Sequence, residues 1–121
     1  MNADSIREQL YAEKAVVILR EKSADLVRKK AHAARDGGLR IQEITWTTPS
    51  VAELIREFTK EKLGTIGAGT ILTLKDAQEA VDAGAKAVGL GAAFTHSPAV
   101  LAGDLASLTK EAEEVVKLTK G

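Results

Sequence analysis

Cysteine is absent from the chain. That excludes disulfide bracing and thiolate chemistry, and it fits a reducing compartment, so a cytoplasmic setting is expected. Aromatic residues make up only 3% of the 121 residues. A core must therefore be assembled from Ala, Val, Leu and Ile, which suit close helix-on-sheet packing but fill little volume. A partner chain is one way to complete such a core. There is no apolar run of about 18 residues and no signal-peptide pattern, so neither membrane insertion nor export is expected. Net charge is also lacking: 17 basic residues balance 17 acidic ones. Bulk electrostatics thus gives no ground for nucleic acid or an anionic membrane as partner, and no long-range repulsion opposes self-association.

What is present is a regular alternation. Ile6 and Leu10, with Tyr11 adjacent and Asp4 as a cap, predict a helix over 4–13. Ala15-Val16-Val17-Ile18-Leu19-Arg20 is a short apolar run rich in β-branched residues, the pattern of a strand buried on both faces. A helix over 24–36 follows, capped by Ser23 and ended by Gly37-Gly38. The second strand, about 40–46, alternates. Gln42, Ile44 and Trp46 share one face, while Ile41, Glu43, Thr45 and Thr47 share the other. Thr48 or Ser50 is the expected cap of the next helix, whose Val51, Leu54, Ile55 and Phe58 fall at i, i+3, i+4 and i+7.

A third strand, Thr65 to Thr70, contains two glycines, which mark close backbone approach or a bend. Helix 73–82, capped by Thr73, leads to a fourth strand, Ala87 to Gly91. A loop with His96, Ser97 and Pro98 is expected next. The last helix, 104–119, is capped by Asp104 and turns Leu105, Leu108, Ala112, Val115 and Val116 inward. Strands and helices alternating at this spacing predict an α/β fold of about four strand-helix units around a parallel sheet with right-handed crossovers. A closed β/α barrel needs eight such units. The expectation is a half or partial TIM barrel, which self-association can complete. No linker divides the chain, so residues 1–121 are expected to form a single truncated barrel-like domain.

Three side chains fall at or near the carboxyl ends of successive strands, where open sheets and barrels place ligands. Arg20 is a natural bidentate partner of a carboxylate or phosphate, Glu43 can move protons, and Thr70 offers a hydroxyl. The bland alternatives are an Arg20 pairing with Glu21 or Glu43 at a helix start, and a solvated Glu43 on an edge strand. Gly89, Leu90, Gly91 and Ala92 form a strand end where backbone N–H groups can approach an anion, or else a simple tight turn. No Gly-Lys-Ser/Thr follows, so this is not a nucleotide loop. His32 reads as a helix-surface residue. His96 has no Asp or Cys at ligand spacing, so neither metal nor other cofactor is expected.

In order and spacing, Val17-Ile18-Leu19-Arg20, Gly37-Gly38, Glu43 to Pro49 and Gly64 to Thr70 resemble the first three strands of the 2-keto-3-deoxy-6-phosphogluconate/4-hydroxy-2-oxoglutarate (KDPG/KHG) aldolases. The resemblance covers about residues 5–83. Those enzymes are class I aldolases on a β/α barrel, usually trimeric, that release pyruvate and an aldehyde through a lysine Schiff base. Ala83 to Gly91 looks like the family's eighth strand and the last helix like its closing helix, with the fourth to seventh units missing.

The resemblance implies that Glu43 is the general acid/base and that Arg20 contacts the substrate carboxylate. It implies further that Thr70 lines the pyruvate pocket and that Gly89, Leu90, Gly91 and Ala92 form one side of a phosphate cradle. The Schiff-base lysine belongs to the missing sixth strand. Lys86 precedes its strand, on the wrong side, and Lys75 begins a helix in solvent. The expected function is retro-aldol cleavage at a weak or vanishing rate. The alternative is a non-catalytic half-barrel scaffold or a small-anion-binding, self-assembling domain. The expected partners are a second copy of the chain and a small carboxylate or phosphate.

Overall fold

Helix α1 (Ala3–Glu13) leads into strand β1 (Val17–Leu19), and three helix-strand steps follow: α2 (Ala24–Asp36) and β2 (Ile41–Thr45), α3 (Val51–Glu61) and β3 (Thr65–Ile71), α4 (Leu74–Ala83) and β4 (Val88–Leu90). Two single-turn helices, α5 (Ala92–Thr95) and α6 (Pro98–Leu101), and the long α7 (Leu105–Lys120) complete the chain. The computed structural model describes residues 3–120. The strands form one parallel sheet in the order β1-β2-β3-β4.

The register places Ile18 beside Glu43 and Glu43 beside Gly67, so these residues share one face. Leu19, Ile44 and Ala68 share the other, and all three are buried beneath the helices. The helical face is dry because α3 presents the stripe read from the sequence. Leu54, Ile55 and Phe58 are wholly buried there, with Val27 and Ala31 from α2 and Ala77 and Ala80 from α4. Gln42 also points to this side. Its amide nitrogen donates to the carbonyls of Ala31 at 3.0 Å and Leu39 at 3.3 Å, tying β2 to the end of α2. At the entry to β3, a Cβ on Gly64 would lie 2.3 Å from the Arg40 carbonyl oxygen, so only glycine lets these backbones meet.

The opposite face is covered at one end only. Ile6 and Leu10 of α1 lie against its amino-terminal half and enclose, with Val16, Ile41, Glu43 and Ala87, an apolar cavity of about 180 Å³. The Thr65 hydroxyl donates to the Gln9 side-chain carbonyl and fastens α1 there.

Local details depart from expectation at four places. β1 is only three residues long, with Ala15, Val16 and Arg20 outside it, and it is not buried on both faces as expected: Leu19 is buried beneath the helices, but Ile18 stands exposed on the open face. Ser50 does sit before α3, but in a left-handed conformation (φ 59°) with no capping bond, and the Thr48 hydroxyl turns to Thr45 instead. The segment around His96 is not a plain loop but α5 and α6. In α7, Val115 is buried and Leu118 packs on the core, whereas Leu105 and Val116 are 62% and 46% exposed. The physical reason is that nothing lies beyond β4 to receive that flank. The caps at Ser23, Thr73 and Asp104 form as expected, accepting from Leu26, Asp76 and Ser107 amides. Among the described residues no helix is long and apolar enough to cross a membrane.

Two outcomes follow for stability. Phe58→Ala should cost about 3–5 kcal/mol, most of the reserve of a small domain, measurable as a lower urea midpoint at unchanged slope. The second concerns Asp104. The Ser107 hydroxyl and then the Ser107 amide hold its carboxyl below the usual range, with partial desolvation opposing them. The cap's contribution is therefore complete above the ordinary aspartate range and fades as pH falls through the lowered one. Amide exchange in the first turn of α7 should quicken, relative to the intrinsic rate, over that acidic window and not above it.

Candidate functional site

β2 and β3 build the site, and their glycines decide its shape. Glu43 projects from β2 on the open face and is half-buried. Its carboxylate lies across the neighbouring strand. A Cβ on Gly69 would sit 1.6 Å from Glu43 Oε1, and one on Gly89 would sit 3.7 Å from the same atom. Gly69 and Gly89 are thus a floor on which the carboxylate lies flat. No hydrogen bond or ion pair engages the Glu43 side chain among the described residues.

Thr70 follows Gly69 at an irregularity in the β3–β4 register, between Ala68 and Ile71. Its φ of 54° is left-handed, an uncommon and strained state for a β-branched residue. A bulge of this kind re-aims a side chain. Here it turns the Thr70 hydroxyl toward β1, where it accepts from Arg20 Nη2 at 3.3 Å. Arg20 is not paired with Glu21 or Glu43; Glu21 is held by Lys30. The guanidinium stands at the carboxyl end of the sheet and lines an open cleft of about 570 Å³ with Lys22, Thr47 and Pro49. Deeper in the same end, the Thr45 hydroxyl is buried and bonded to those of Thr47 at 3.0 Å and Thr48 at 3.3 Å, fixing the turn after β2.

The structure therefore joins Arg20 to Thr70, and Glu43 to Gly69 and Gly89. No hydrogen bond or ion pair joins Arg20 to Glu43. In the glycine segment, the Gly91 amide donates to the Ile71 carbonyl at 3.3 Å, which extends the sheet. Leu90 turns away into an apolar cavity of about 240 Å³ beneath α7, with Ile71, Phe94 and Val115. The backbone at Ala92, where α5 begins, is the part of this segment left for an anion. Lys75 lies exposed in the first turn of α4, and Lys86 is exposed at the opposite end of the sheet. No group of three or more His, Cys, Asp or Glu residues that can hold a metal occurs among the described residues.

Sequence reasoning missed two features. Lys22 stands beside Arg20, and its position in the same strand-end segment was the available signal. A second cleft, about 470 Å³ at the amino-terminal end of the strands, gathers Arg35, Arg40, Lys62 and Lys86 with no acidic residue. Arg35 comes from the last turn of α2, and Arg40, Lys62 and Lys86 from the three connections that enter β2, β3 and β4, so only the shared topology of strand-entry residues points to them.

A parallel sheet with helices on one face, and polar side chains converging at its carboxyl ends, defines a partial β/α barrel. The family model for KDPG and KHG aldolase matches residues 6–115, and the chain belongs to that family. Among solved structures it is similar to the 2-keto-3-deoxy-6-phosphogluconate aldolase of Zymomonas mobilis, at 29% identity and a TM-score of 0.55 over 73% of this chain. It spans only 44% of that protein's length. A cube-shaped protein cage designed by fusing symmetric oligomeric domains shares the fold, at 17% identity and a TM-score of 0.51, over 85% of this chain and 41% of that one. No curated protein matches the chain.

A Glu43 carboxylate free of partners should be dispensable for folding. Glu43→Gln is expected to leave stability unchanged or raise it slightly, because the amide is cheaper to hold in a half-buried place than a charge. Urea unfolding checks this; a loss well beyond the ~1 kcal/mol typical of point changes would reveal a structural partner.

Proposed function

We propose that the open face is a reduced KDPG/KHG-aldolase site that takes a small 2-keto acid such as pyruvate at the carboxyl ends of the strands. Arg20, steadied by the Thr70 hydroxyl, pairs with the ligand carboxylate, since guanidinium and carboxylate match as a fork. Glu43 serves as the proton-moving group, with the glycine floor holding its carboxylate beside the ligand. A phosphate on a longer substrate lies toward Gly89, Leu90, Gly91 and Ala92, where the Ala92 end of the segment is the part available to it. The observation that carries this reading is the Arg20–Thr70 pair, for which the β3 backbone accepts a left-handed threonine.

On this reading lyase turnover is weak or absent. The family's chemistry needs a lysine amine within the site, and a nucleophilic lysine must be desolvated to act near neutral pH. Lys75 and Lys86 are both exposed and outside it. The substrate class is that of the family, a phosphorylated or unphosphorylated 4-hydroxy-2-keto acid. The setting is the cytoplasm, and the chain works as a self-associated species. The exposed edges of the sheet favour this last element over a lone scaffold.

Incubation with pyruvate and borohydride, followed by intact mass, tests the catalytic part. No pyruvyl adduct is expected. A stable adduct on one lysine would replace this reading with that of an active lyase and name its nucleophile. Pyruvate titration followed by amide NMR tests the binding part. Shifts are expected at Arg20 and Thr70, and their absence at tens of millimolar would remove the ligand from this site.

A further inference from the structure

We propose that two copies of the chain close into one eight-stranded parallel barrel, with β1 of each copy beside β4 of the other, so that both Glu43 side chains face a shared interior. The inference rests on the self-association proposed above and specifies its geometry.

The first ground is the sheet itself. Its order leaves β1 and β4 unpaired on their outer sides, and parallel strands are stable when both faces are covered. Here the open face is covered by α1 at its amino-terminal end only. Four strands are half the number at which a parallel barrel closes and fills its own interior.

The second ground is the unlike character of the two edges. At the β1 edge, Val16 and Ile18 are 43% and 60% exposed on the open face. On α2, Arg28 bonds Glu57 of α3, and Leu26, about 200° around the helix from Arg28, is therefore on the flank beyond β1, 42% exposed. At the β4 edge the open face carries only Ala87 and Gly89. On α7, Glu111 faces Leu72 and Leu74 near the start of α4, while Leu105 and Val116, roughly 120–140° around from it, are exposed on the far flank. Large side chains project at one edge, and small ones leave room at the other. Each edge is bordered by an exposed apolar helix flank. Like edges do not complement one another, whereas β1 complements β4.

A two-fold axis along the barrel makes both β1–β4 junctions at once, keeps all eight strands parallel and leaves no edge free. With no net charge on either copy, no bulk repulsion opposes closure. Each copy then supplies half of one interior, including a Glu43 and its glycine floor.

The test uses the whole chain in two stages. Light scattering over a concentration series should give a dimer. Ile18→Lys and Val116→Lys should each shift it toward monomer without changing the circular dichroism, because both side chains already stand in water in the single copy. A monomer at every concentration would overturn both the self-association reading and the barrel. The absence of cysteine then allows mapping by cross-linking. Ile18→Cys combined with Ala87→Cys, or with Gly89→Cys, should give a covalent dimer under mild oxidation, and none of the single variants should. Within one copy these positions are separated by three strand spacings, about 14 Å, too far for a disulfide. A dimer that cross-links through Ile18→Cys alone, or through neither double variant, would overturn the barrel while leaving self-association standing.

Discussion

Parallel strands need cover on both faces, and in this chain that need is met on one face only. Helices α2, α3 and α4 seal one side with a stripe whose centre is Leu54, Ile55 and Phe58. On the other side, a single helix crosses the amino-terminal end. Much of what is distinctive in the molecule follows from this imbalance. The carboxyl half of the open face is where side chains can meet a ligand. The same half is bordered by two edges without partners, so the features that make the site and those that invite a second copy are consequences of one incomplete burial.

The site illustrates how a small chain arranges polar groups without large side chains. Glu43 is set by register, since β2 must keep Ile44 beneath α3 and therefore turns Glu43 the other way. Its final attitude depends on two residues that have no side chain. Thr70 depends on a backbone irregularity that strand propensity alone disfavours. Arg20 is placed by the end of β1 and then fixed by Thr70. Each functional group is thus positioned by its neighbours' geometry, with little contribution from bulk packing.

Much of this was legible in the sequence. The periodicities of α3 and α4 and the glycines of β3 were local signals, and the order of elements limited the topology to parallel pairing. Arg20 and Thr70 could be assigned to strand ends because strand ends are countable, whereas Glu43, expected at or near a strand end, sits at the centre of β2. What escaped was whatever depends on a partner distant in sequence. The capping of α3 failed because the Thr48 hydroxyl found Thr45 and Ser50 took a left-handed turn. The apolar pattern of α7 runs on through Leu105 and Val116, but a helix beside the last strand of an open sheet has a flank with nothing to bury it. The cationic cleft at the opposite end collects residues from the end of α2 and from three strand entries, and has no linear signature.

The contact between Glu43 and position 69 also separates the placing of a charge from the holding of a fold. A Cβ at 69 would meet Glu43 Oε1 at 1.6 Å, and that atom is the far end of a flexible side chain. The glutamate can therefore swing aside while the strands stay where they are. A side chain at 69 would lift the carboxylate off its floor and aim it elsewhere, with the sheet intact. Gly69 thus governs where the charge rests, and the backbone contact at Gly64 governs whether the strands can meet.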